Sequence, residues 1–333
     1  MKVISLFSGC GGLDLGFIKA GFDVIWANDY DREATESYKK NINPHIIHKD
    51  IYQLDVRDVP DADILIGGFP CLGFTVAKGK TRELDCDYNQ LFKEYARILD
   101  AKKPKYFLVE NVAGIKSGKE FSDFFHEVIL EEFKKSGIGY KVKYETLIAS
   151  NFGVPQNRKR VIIIGTRSDL ALEPDFPIPR MGDKPITLKK AISDLPKEFD
   201  KSVINHTGNQ HAVNITGYVG NRQLIWDKPS PTITGRGSRS GGAVIHPHPL
   251  GHRRLSVREC ARIQSFPDDF EFVGSNGACF AQIGNAVPPI MAFFIANEFR
   301  PMFNKKKIDF NPENWNLPYS SEVAKKVNDL FYA

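Results

Sequence analysis

A cysteine behind a glycine-rich turn is the side chain of this sequence best suited to covalent chemistry. The turn, Gly-Gly-Phe-Pro at residues 67–70, follows the apolar run of residues 63–66, which predicts a buried parallel strand. Ligands of open α/β sheets bind at the carboxyl ends of the strands, so Cys71 is expected at the mouth of a cleft. A thiolate there would be a strong nucleophile. A lone cysteine after a strand is more often a small buried residue, so the surrounding residues must decide between the two interpretations.

A carboxylate and two arginines are predicted near the same edge of the sheet. Glu110 ends the apolar run of residues 106–109, which is the next predicted strand after the one that precedes Cys71. Arg158 and Arg160 alternate along the chain, so they face the same side if that segment is extended. Paired arginines suit an anionic substrate group, although a solvated basic turn is the simpler interpretation of these two residues.

A second glycine-rich turn, Ser-Gly-Cys-Gly-Gly at residues 8–12, joins the β-rich run 2–7 to an amphipathic helix. This order is typical of a cofactor site, where backbone N–H groups and a helix N-terminus face a polar ligand, but the match to G-x-G-x-x-G is inexact and weak alone. Asp29 follows the strand predicted at 23–27, where a ribose hydroxyl pair is usually bound; an N-cap or surface carboxylate fits it about as well. Asp50, after a third strand, can accept from an exocyclic amine or cap a turn.

Composition indicates an ordinary globular protein. The 333 residues are 42% hydrophobic and 26% charged, enough for two domains or for one large domain with an insertion. The five cysteines, odd in number and without a C-x-x-C pair, argue against a disulfide framework or a cysteine zinc site and favour a reducing cytosol. No membrane-spanning run and no signal peptide are evident in the sequence. The net charge of +5 permits nucleic-acid binding but is weak evidence for it.

Alternating strand and helix patterns extend through the first part of the chain. Besides the strands above, the patterns predict helices at 88–99 and 121–133 and strands at 143–148 and 161–164. Near residue 290 a proline-initiated helix is predicted to run to residue 299. The tail from residue 301 has no assigned function, and Trp315 and a short helix at 322–331 are expected on the surface.

The region 197–250 has a different composition. It is rich in glycine, asparagine, histidine, serine and arginine and has no helical periodicity, so we expect loops with short strands. Polar loops of this kind can read base edges in a DNA groove. His246 and His248 lie in this region and His252 just after it, but no cysteine is nearby and prolines lie between them, so no zinc site is expected.

Seven ordered motifs resemble the cytosine-C5 DNA methyltransferases, which use S-adenosylmethionine. The set covers the chain from residue 2 to about residue 294 and is far more specific than any one motif. The motifs are residues 6–13 (LFSGCGGL), 28–31 (NDYD), 68–71 (GFPC), 110–112 (ENV), 156–160 (QNRKR), 258–268 (RECARIQSFPD) and 282–289 (QIGNAVPP). The chain departs from the family at Leu72, where the family usually has glutamine, because a leucine side chain cannot form hydrogen bonds.

The resemblance implies a Rossmann-like S-adenosylmethionine-dependent methyltransferase fold, an α/β fold with a smaller, loop-rich target-recognition domain. It divides the chain into a catalytic and cofactor-binding domain (1–180), a target-recognition domain (181–276) and a returning segment with the tail (277–333). The implied enzyme is a DNA (cytosine-5-)-methyltransferase that methylates a flipped cytosine in a short duplex site, within a restriction-modification system. The alternatives are a tRNA cytosine-5 methyltransferase of the same fold and a non-catalytic DNA-binding relative, which the retained Cys71 and Glu110 argue against.

The resemblance also implies roles for single residues. Cys71 adds to C6 of the cytosine, Glu110 bonds N3 and the exocyclic amine, Arg160 supports that site, and Arg158 contacts a nearby phosphate or ring oxygen. The implied DNA-binding residues are Arg236 and Arg239. The implied cofactor-binding residues are Phe7, Ser8, Gly9, Gly11, Gly12, Leu13, Asn28, Asp29, Tyr30, Asp50, Ile51, Pro70, Leu91, Asn285 and Ala286.

The expected partners follow from the same resemblance. S-adenosylmethionine is the expected cofactor and S-adenosylhomocysteine the product, with no metal. Double-stranded DNA is the expected substrate, and a cognate restriction endonuclease would act on the same site without touching this chain. The protein is expected to be a cytoplasmic monomer with no membrane contact.

Overall fold

A seven-stranded sheet forms the centre of the computed structural model, which describes residues 1–70, 90–209, 213, 215, 221–235 and 245–328. The strands are β1 (Lys2–Leu6), β2 (Asp23–Asp29), β3 (Ile46–His48), β4 (Ile64–Gly67), β5 (Tyr106–Val112), β6 (Tyr140–Ile148) and β7 (Lys159–Arg167). Their order across the sheet is β3-β2-β1-β4-β5-β7-β6. Strands β1 to β5 run parallel, and β7 runs antiparallel to both β5 and β6. The α/β architecture expected from the sequence is confirmed.

Alternate residues of the central strands fill two apolar clusters, one on each face of the sheet. In β4, Ile64 and Ile66 belong to one cluster and Leu65 to the other. In β5, Leu108 and Phe107 alternate in the same way. Successive side chains of a strand point to opposite faces, so a parallel strand covered on both faces needs a continuous apolar run.

Helices cover both faces of the sheet. The α-helices are α1 (Gly12–Lys19), α2 (Arg32–Asn41), α3 (Leu91–Lys102), α4 (Lys119–Asp123), α5 (Leu130–Lys135), α6 (Leu188–Ile192), α7 (Val257–Ile263), α8 (Asn276–Asn285), α9 (Pro289–Asn297) and α10 (Ser320–Asn328). Short 3₁₀ turns lie at Ile51–Gln53, Val56–Asp58, Ala113–Lys116, Ala149–Phe152, Arg300–Phe303 and Pro312–Asn314. The helix predicted at 121–133 is longer than expected and contains a π turn, Phe124–Ile129, between α4 and α5.

Two strands extend further than their apolar runs predicted, and both extensions carry candidate catalytic residues. Strand β5 continues through Glu110 to Val112, because Val112 pairs with Arg160 of β7. Strand β7 begins at Lys159, two residues before the apolar run that predicted it. Hydrogen bonds to a neighbouring strand extend both strands where the apolar pattern has stopped. Glu110 and Arg160 therefore lie within strands and not in the loops around them.

Helix α9 packs directly against α1, at the opposite end of the sequence. A Cβ atom on Gly16 would lie 2.3 Å from Ala292 Cβ and 2.6 Å from the Phe293 backbone nitrogen, so the contact requires glycine. All nine residues of α9 are buried. Contrary to the expectation from sequence, one stretch, Asn276–Asn297, is long and apolar enough to cross a membrane, but 78% of its most apolar window is buried inside the protein, as in a core helix.

The described residues between α6 and α7 contain no helix or strand, in line with the loop-rich composition of this region. Only isolated bridges occur there, such as the parallel bridge between Gln156 and Ser230. One apolar cluster includes Leu13, Ile233 and Trp315, one residue from each of the three predicted segments. The segments thus share a core, and their boundaries stay a prediction.

The tail completes this core. Trp315, expected on the surface, is only 1% exposed and stacks on Phe310 with ring centroids 5.3 Å apart. The Tyr319 hydroxyl donates to the Arg262 carbonyl oxygen at 2.7 Å. Val323 of α10 packs on Gly153, where a Cβ atom would lie 2.8 Å from Val323 Cγ1. The expectation of a surface tail was wrong, because its aromatic residues fill a gap beside α9.

Candidate active site

An ion pair between β5 and β7 is the centre of the candidate site. Arg160 Nε lies 2.5 Å from Glu110 Oε1, and both side chains are about nine-tenths buried. Burying a charge is costly unless an opposite charge compensates for it, so each residue needs the other. Glu110 Oε1 forms no hydrogen bond of regular geometry within the described part of the chain. The carboxylate is thus held by charge and retains capacity to accept hydrogen bonds.

The turn after β4 lies against this carboxylate. A Cβ atom on Gly68 would be 2.9 Å from Glu110 Oε2, so glycine is needed for the close approach. Asn111 Nδ2 donates to the Phe69 carbonyl oxygen at 3.4 Å, which ties the turn to β5. Pro70 is half-buried at the end of the described turn. Cys71 and Leu72 lie outside the described residues, but the backbone three residues before Cys71 is in contact with Glu110.

Arg158 has a different environment from the one expected. It is fully buried, and its guanidinium donates to the carbonyl oxygens of Ile233 (2.9 Å) and Gly284 (2.8 Å). Only Arg160, of the two arginines, pairs with Glu110. The expected substrate contact of Arg158 does not fit this geometry, because both terminal nitrogens already donate to backbone oxygens and the side chain has no exposed surface. We infer that Arg158 positions two segments of backbone.

The glycine turn after β1 is tied to the end of β2. Phe7, Gly9 and Gly11 have positive φ values of 53°, 55° and 92°, so every second residue from 7 to 11 has the left-handed conformation. The Gly9 N–H donates to Asp29 Oδ2 at 2.7 Å, and the Asp31 N–H donates to Asp29 Oδ1 at 2.8 Å. Burial raises the pKa of Asp29 to about 6, and these two backbone bonds oppose the shift.

The residues of this turn fit a polar nucleoside cofactor. Among the described residues, a Cβ atom on Gly9 would meet no atom within 4 Å, whereas one on Gly12 would lie 2.4 Å from the Val287 carbonyl oxygen. The turn therefore packs on Val287 at Gly12, whereas no described residue fills the space beside Gly9. A carboxylate has about four acceptor positions, so Asp29 can accept from a ligand hydroxyl in addition to its backbone donors. A carboxylate acceptor beside an open turn suits the hydroxyl groups of a ribose.

The other candidate cofactor residues lie near the same edge of the sheet. Asn28 Nδ2 donates to the carbonyl oxygens of Ile47 and Lys49, which fixes the end of β3 against β2. Tyr30 follows Asp29 and is 52% exposed. Asp50 accepts from the Tyr52 N–H at 3.0 Å, so it caps a 3₁₀ turn, and it is exposed. Of the remaining candidates, Ser8 donates to Ser5 Oγ and Gly11 is the N-cap of α1. Asn285 is the last residue of α8, and Ala286 is its C-cap. The other three, Leu13, Ile51 and Leu91, are buried.

Two groups of polar residues in and beside the site were not assigned a role from the sequence. Asp14 is fully buried in α1 and accepts from Ser5 Oγ (2.7 Å) and Tyr38 Oη (2.8 Å); burial raises its pKa to about 6. Gln156 and Gln264 are buried and bond to each other through their side-chain amides. The sequence offered one signal for each group. Asp14 is an acid in the first turn of a predicted helix, and Gln156 and Gln264 lie within two of the seven motifs.

The cysteines that the structure describes are all buried, and none of them competes with Cys71 as a nucleophile. Burial raises the pKa of Cys279 to about 11 and raises those of Cys10 and Cys260 well above the ordinary range, so these thiols stay protonated near neutral pH. Within the described ranges, no group of three or more His, Cys, Asp or Glu side chains could hold a metal ion. Cys86, Arg236 and Arg239 lie outside those ranges.

Comparison with known proteins assigns the family. The model of the C-5 cytosine-specific DNA methylases matches residues 1–300. The chain belongs to this family. It is a DNA (cytosine-5-)-methyltransferase, so the family resemblance and the enzyme class expected from the motifs are confirmed.

Curated relatives of this methyltransferase are similar over nearly their whole length. The Type II methyltransferase M.NgoFVII of Neisseria gonorrhoeae is 38% identical, with 93% of this chain and 90% of that protein aligned. The Type II methyltransferase M.MthTI of Methanothermobacter thermautotrophicus is also 38% identical, over 90% of this chain and 97% of its own.

Solved structures share the fold. A crystal structure described as a prophage-encoded DNA modification methyltransferase of E. coli has a TM-score of 0.72 and 25% identity, and the match covers 92% of this chain and all of that one. The S. pombe Dnmt2 methyltransferase has a TM-score of 0.65 at 20% identity over 91% and 99% of the two chains, which speaks to the fold alone. The methyltransferase type of α/β fold is thereby confirmed.

Proposed function

We propose that the chain transfers a methyl group from S-adenosylmethionine to C5 of a flipped cytosine in a short duplex DNA site. The observation that supports this most directly is the buried Glu110–Arg160 pair, in contact with the turn that leads to Cys71. A nucleophile after β4, a carboxylate in β5 and a guanidinium at the start of the antiparallel β7 form a set that can activate a pyrimidine ring. The sequence relatives named Type II methyltransferases support DNA as the substrate.

On the cofactor side, the glycine turn and the end of β2 would hold S-adenosylmethionine. Asp29 binds the two ribose hydroxyls, and Asp50 together with the backbone of Ile51 faces the adenine amine. When bound, S-adenosylmethionine supplies an electrophilic methyl group on a sulfonium sulfur. Gly9 leaves space beside Asp29 that a side chain would occupy.

On the base side, the Cys71 thiolate adds to C6, forming an S–C6 bond and placing negative charge on the ring. Glu110 shares a proton with N3 and accepts from the exocyclic amine, which selects cytosine over thymine. Arg160 holds the Glu110 carboxylate in place. After C5 has been methylated, a base takes the C5 proton, the electron pair of that C–H bond forms the C5–C6 double bond again, and the S–C6 bond breaks to release the Cys71 thiolate. Flipping the base out of the duplex costs on the order of a few kcal/mol.

The recognition function is assigned to the loop-rich region between residues 197 and 250, with Arg236 and Arg239 as DNA-binding residues. We propose that the enzyme modifies the site of a restriction endonuclease, as the Type II names of its relatives suggest, without direct contact between the two proteins. The methyltransferase is proposed to act as a monomer. Its proposed location is the cytoplasm, where S-adenosylmethionine and DNA are both present.

Expression in a host that lacks cytosine-5 methylation tests the proposal. Sequencing of the host DNA for 5-methylcytosine should reveal one short motif modified at nearly every occurrence. The purified enzyme should then transfer a tritiated methyl group to duplex DNA that contains this motif and not to the host's tRNA. Methylation of tRNA with unmodified DNA would instead support the tRNA enzyme of the same fold.

A further inference from the structure

A chain of side-chain amides connects the recognition region to the cofactor side of the site. The Ile233 N–H donates to Gln156 Oε1 at 2.9 Å, and Gln156 Nε2 donates to Gln264 Oε1. Gln264 Nε2 in turn donates to the carbonyl oxygens of Ile283 (3.0 Å) and Ala286 (2.7 Å). Both glutamines are buried. Because a backbone N–H begins this chain and carbonyl oxygens end it, the orientation of both amides is fixed.

The backbones at the two ends of this chain also touch directly. A Cβ atom on Gly284 would lie 2.2 Å from the Thr234 carbonyl carbon, and one on Gly235 would lie 1.9 Å from Asn285 Oδ1. Arg158 makes a parallel link, since it donates to Ile233 O and to Gly284 O. Residues 233–235 and 283–286 therefore have little freedom to move independently.

Each end leads to a different ligand of the proposed reaction. Residue 235 directly precedes Arg236 in the proposed recognition segment, and Asn285 and Ala286 are proposed cofactor residues. Gln156 itself stands four residues before Arg160, the partner of Glu110. A ligand that orders either backbone segment will order the other, because buried amides lose their partners if one segment shifts alone.

We propose that the Gln156–Gln264 amide pair is a positioning device that makes cofactor binding and DNA binding strengthen each other. The proposal rests on the function proposed above. Thermodynamic linkage requires the effect to be reciprocal. The factor by which DNA lowers the Kd of S-adenosylhomocysteine must equal the factor by which S-adenosylhomocysteine lowers the Kd of DNA. Neither glutamine touches the reacting atoms in this assignment, and both act through Ile233 and Ala286.

Calorimetry tests the coupling between cofactor binding and DNA binding. The affinity for S-adenosylhomocysteine is measured with and without a duplex that contains the target motif of the enzyme. For the wild type we expect the duplex to lower the Kd about tenfold, within the usual range of coupling between sites. Gln156→Met and Gln264→Met, which keep the side-chain volume, should each reduce this ratio to about twofold or less. The double variant should reduce the ratio of Kd values no further than either single variant does, because each single variant already breaks the hydrogen bond between the two glutamines. Gln282→Met is the matched control: this buried glutamine of α8 bonds Val273 and Ser37 and should retain the ratio.

Hydrogen exchange on the wild type gives a test that no folding defect can obscure. S-adenosylhomocysteine without DNA should slow exchange in the peptide that contains Ile233, although that residue lies in the recognition region. An unchanged Ile233 peptide, or single variants with the wild-type ratio, would overturn the coupling. If the enzyme methylates DNA but binds S-adenosylhomocysteine and DNA independently, only the coupling proposed here is wrong. If it methylates no DNA, the proposed function is wrong.

Discussion

Glu110 on β5 and Arg160 on β7 form an ion pair across two neighbouring antiparallel strands, with Oε1 and Nε 2.5 Å apart. Each residue lies at a strand position that the sheet register fixes, since Arg160 pairs with Val112, two residues beyond Glu110. The pair therefore depends on backbone hydrogen bonds and is prepared before a substrate arrives. Preorganised charge of this kind stabilises charge that develops in a transition state.

Replacing this carboxylate by an amide should remove catalysis and preserve the fold. We expect Glu110→Gln to lower the methyl-transfer rate by about 10²–10³-fold, because the amide cannot share a proton with N3 or balance Arg160. Initial rates at saturating DNA measure this, while calorimetry should give an unchanged affinity for S-adenosylhomocysteine. Glu145→Gln, at an exposed position of β6, is the control and should retain the rate. A fully active Glu110→Gln enzyme would remove Glu110 from the site.

Cys71 should form a covalent adduct with DNA. Fluorine at C5 cannot leave as a cation, so duplex DNA with 5-fluorocytosine at the target should trap the adduct in a denaturant-resistant form, and only when S-adenosylmethionine is present. Cys71→Ser should abolish it, since a hydroxyl is a far poorer nucleophile than a thiolate. Cys279→Ala should still form it, as should alanine variants of Cys10, Cys86 and Cys260. Mass spectrometry that maps the adduct to any other cysteine would overturn the mechanism.

Asp29 should contribute strongly to cofactor affinity. We expect Asp29→Ala to weaken S-adenosylhomocysteine binding about tenfold or more, because a charge-assisted hydrogen bond contributes roughly 1.5–3 kcal/mol. Asp23→Ala, at the exposed opposite end of the same strand, provides the control and should bind normally. Equal affinities of the two variants in calorimetry would contradict the assignment of Asp29 to the ribose.

Arg236 and Arg239 should govern DNA binding separately from cofactor binding. Their alanine variants are expected to lose affinity for duplex DNA, or preference for the target motif, because each variant removes a cationic group that can bond phosphate or guanine. Calorimetry should find their affinity for S-adenosylhomocysteine, measured without DNA, unchanged. Arg57→Ala, at an exposed arginine paired with Asp55, is the control. Methylation of the same motif at the wild-type rate would move recognition to other loops.

Asp14 should give the fold a measurable dependence on pH. Burial raises its pKa from 3.8 to about 6, so the folded protein binds more protons than the unfolded chain between those values. The stabilising contribution is complete below about pH 4 and is lost as the pH rises through 6, by about 2–3 kcal/mol. Asp14→Asn should flatten the pH dependence of the free energy of unfolding in this window, whereas Asp61→Asn, at an 89% exposed side chain, should not. Parallel curves for the wild type and Asp14→Asn would contradict the prediction.

Much of the fold could be predicted because the central strands appear in the sequence as continuous apolar runs. The runs at 63–66 and 106–109 are apolar throughout, since both faces of β4 and β5 are covered. Strand ends are different: Glu110 and Arg160 are polar, and only pairing with a neighbouring strand places them within β5 and β7. Trp315 was misplaced for a similar reason, because a short polar tail does not reveal that its aromatic residues fill a gap beside α9.

The candidate site was predictable in part. Residue order within the motifs pointed to Glu110 and Arg160, which the structure brings together. The alternation of Arg158 and Arg160 suggested a shared direction, but Arg158 precedes β7 and turns toward Ile233 and Gly284. Contacts between segments more than 70 residues apart, such as the one between Gln156 and Ile233, leave no periodic signal in the sequence.

The contact of Gly16 with Ala292 has a consequence for synthesis of the protein. Helix α1 emerges from the ribosome early, but α9, which covers it, follows about 270 residues later. At synthesis rates of about 5–20 residues per second this interval is on the order of 15–55 s. A nascent chain that ends before residue 289 thus carries an open apolar seam along α1, which is the kind of surface that chaperones bind and that truncated fragments use to aggregate.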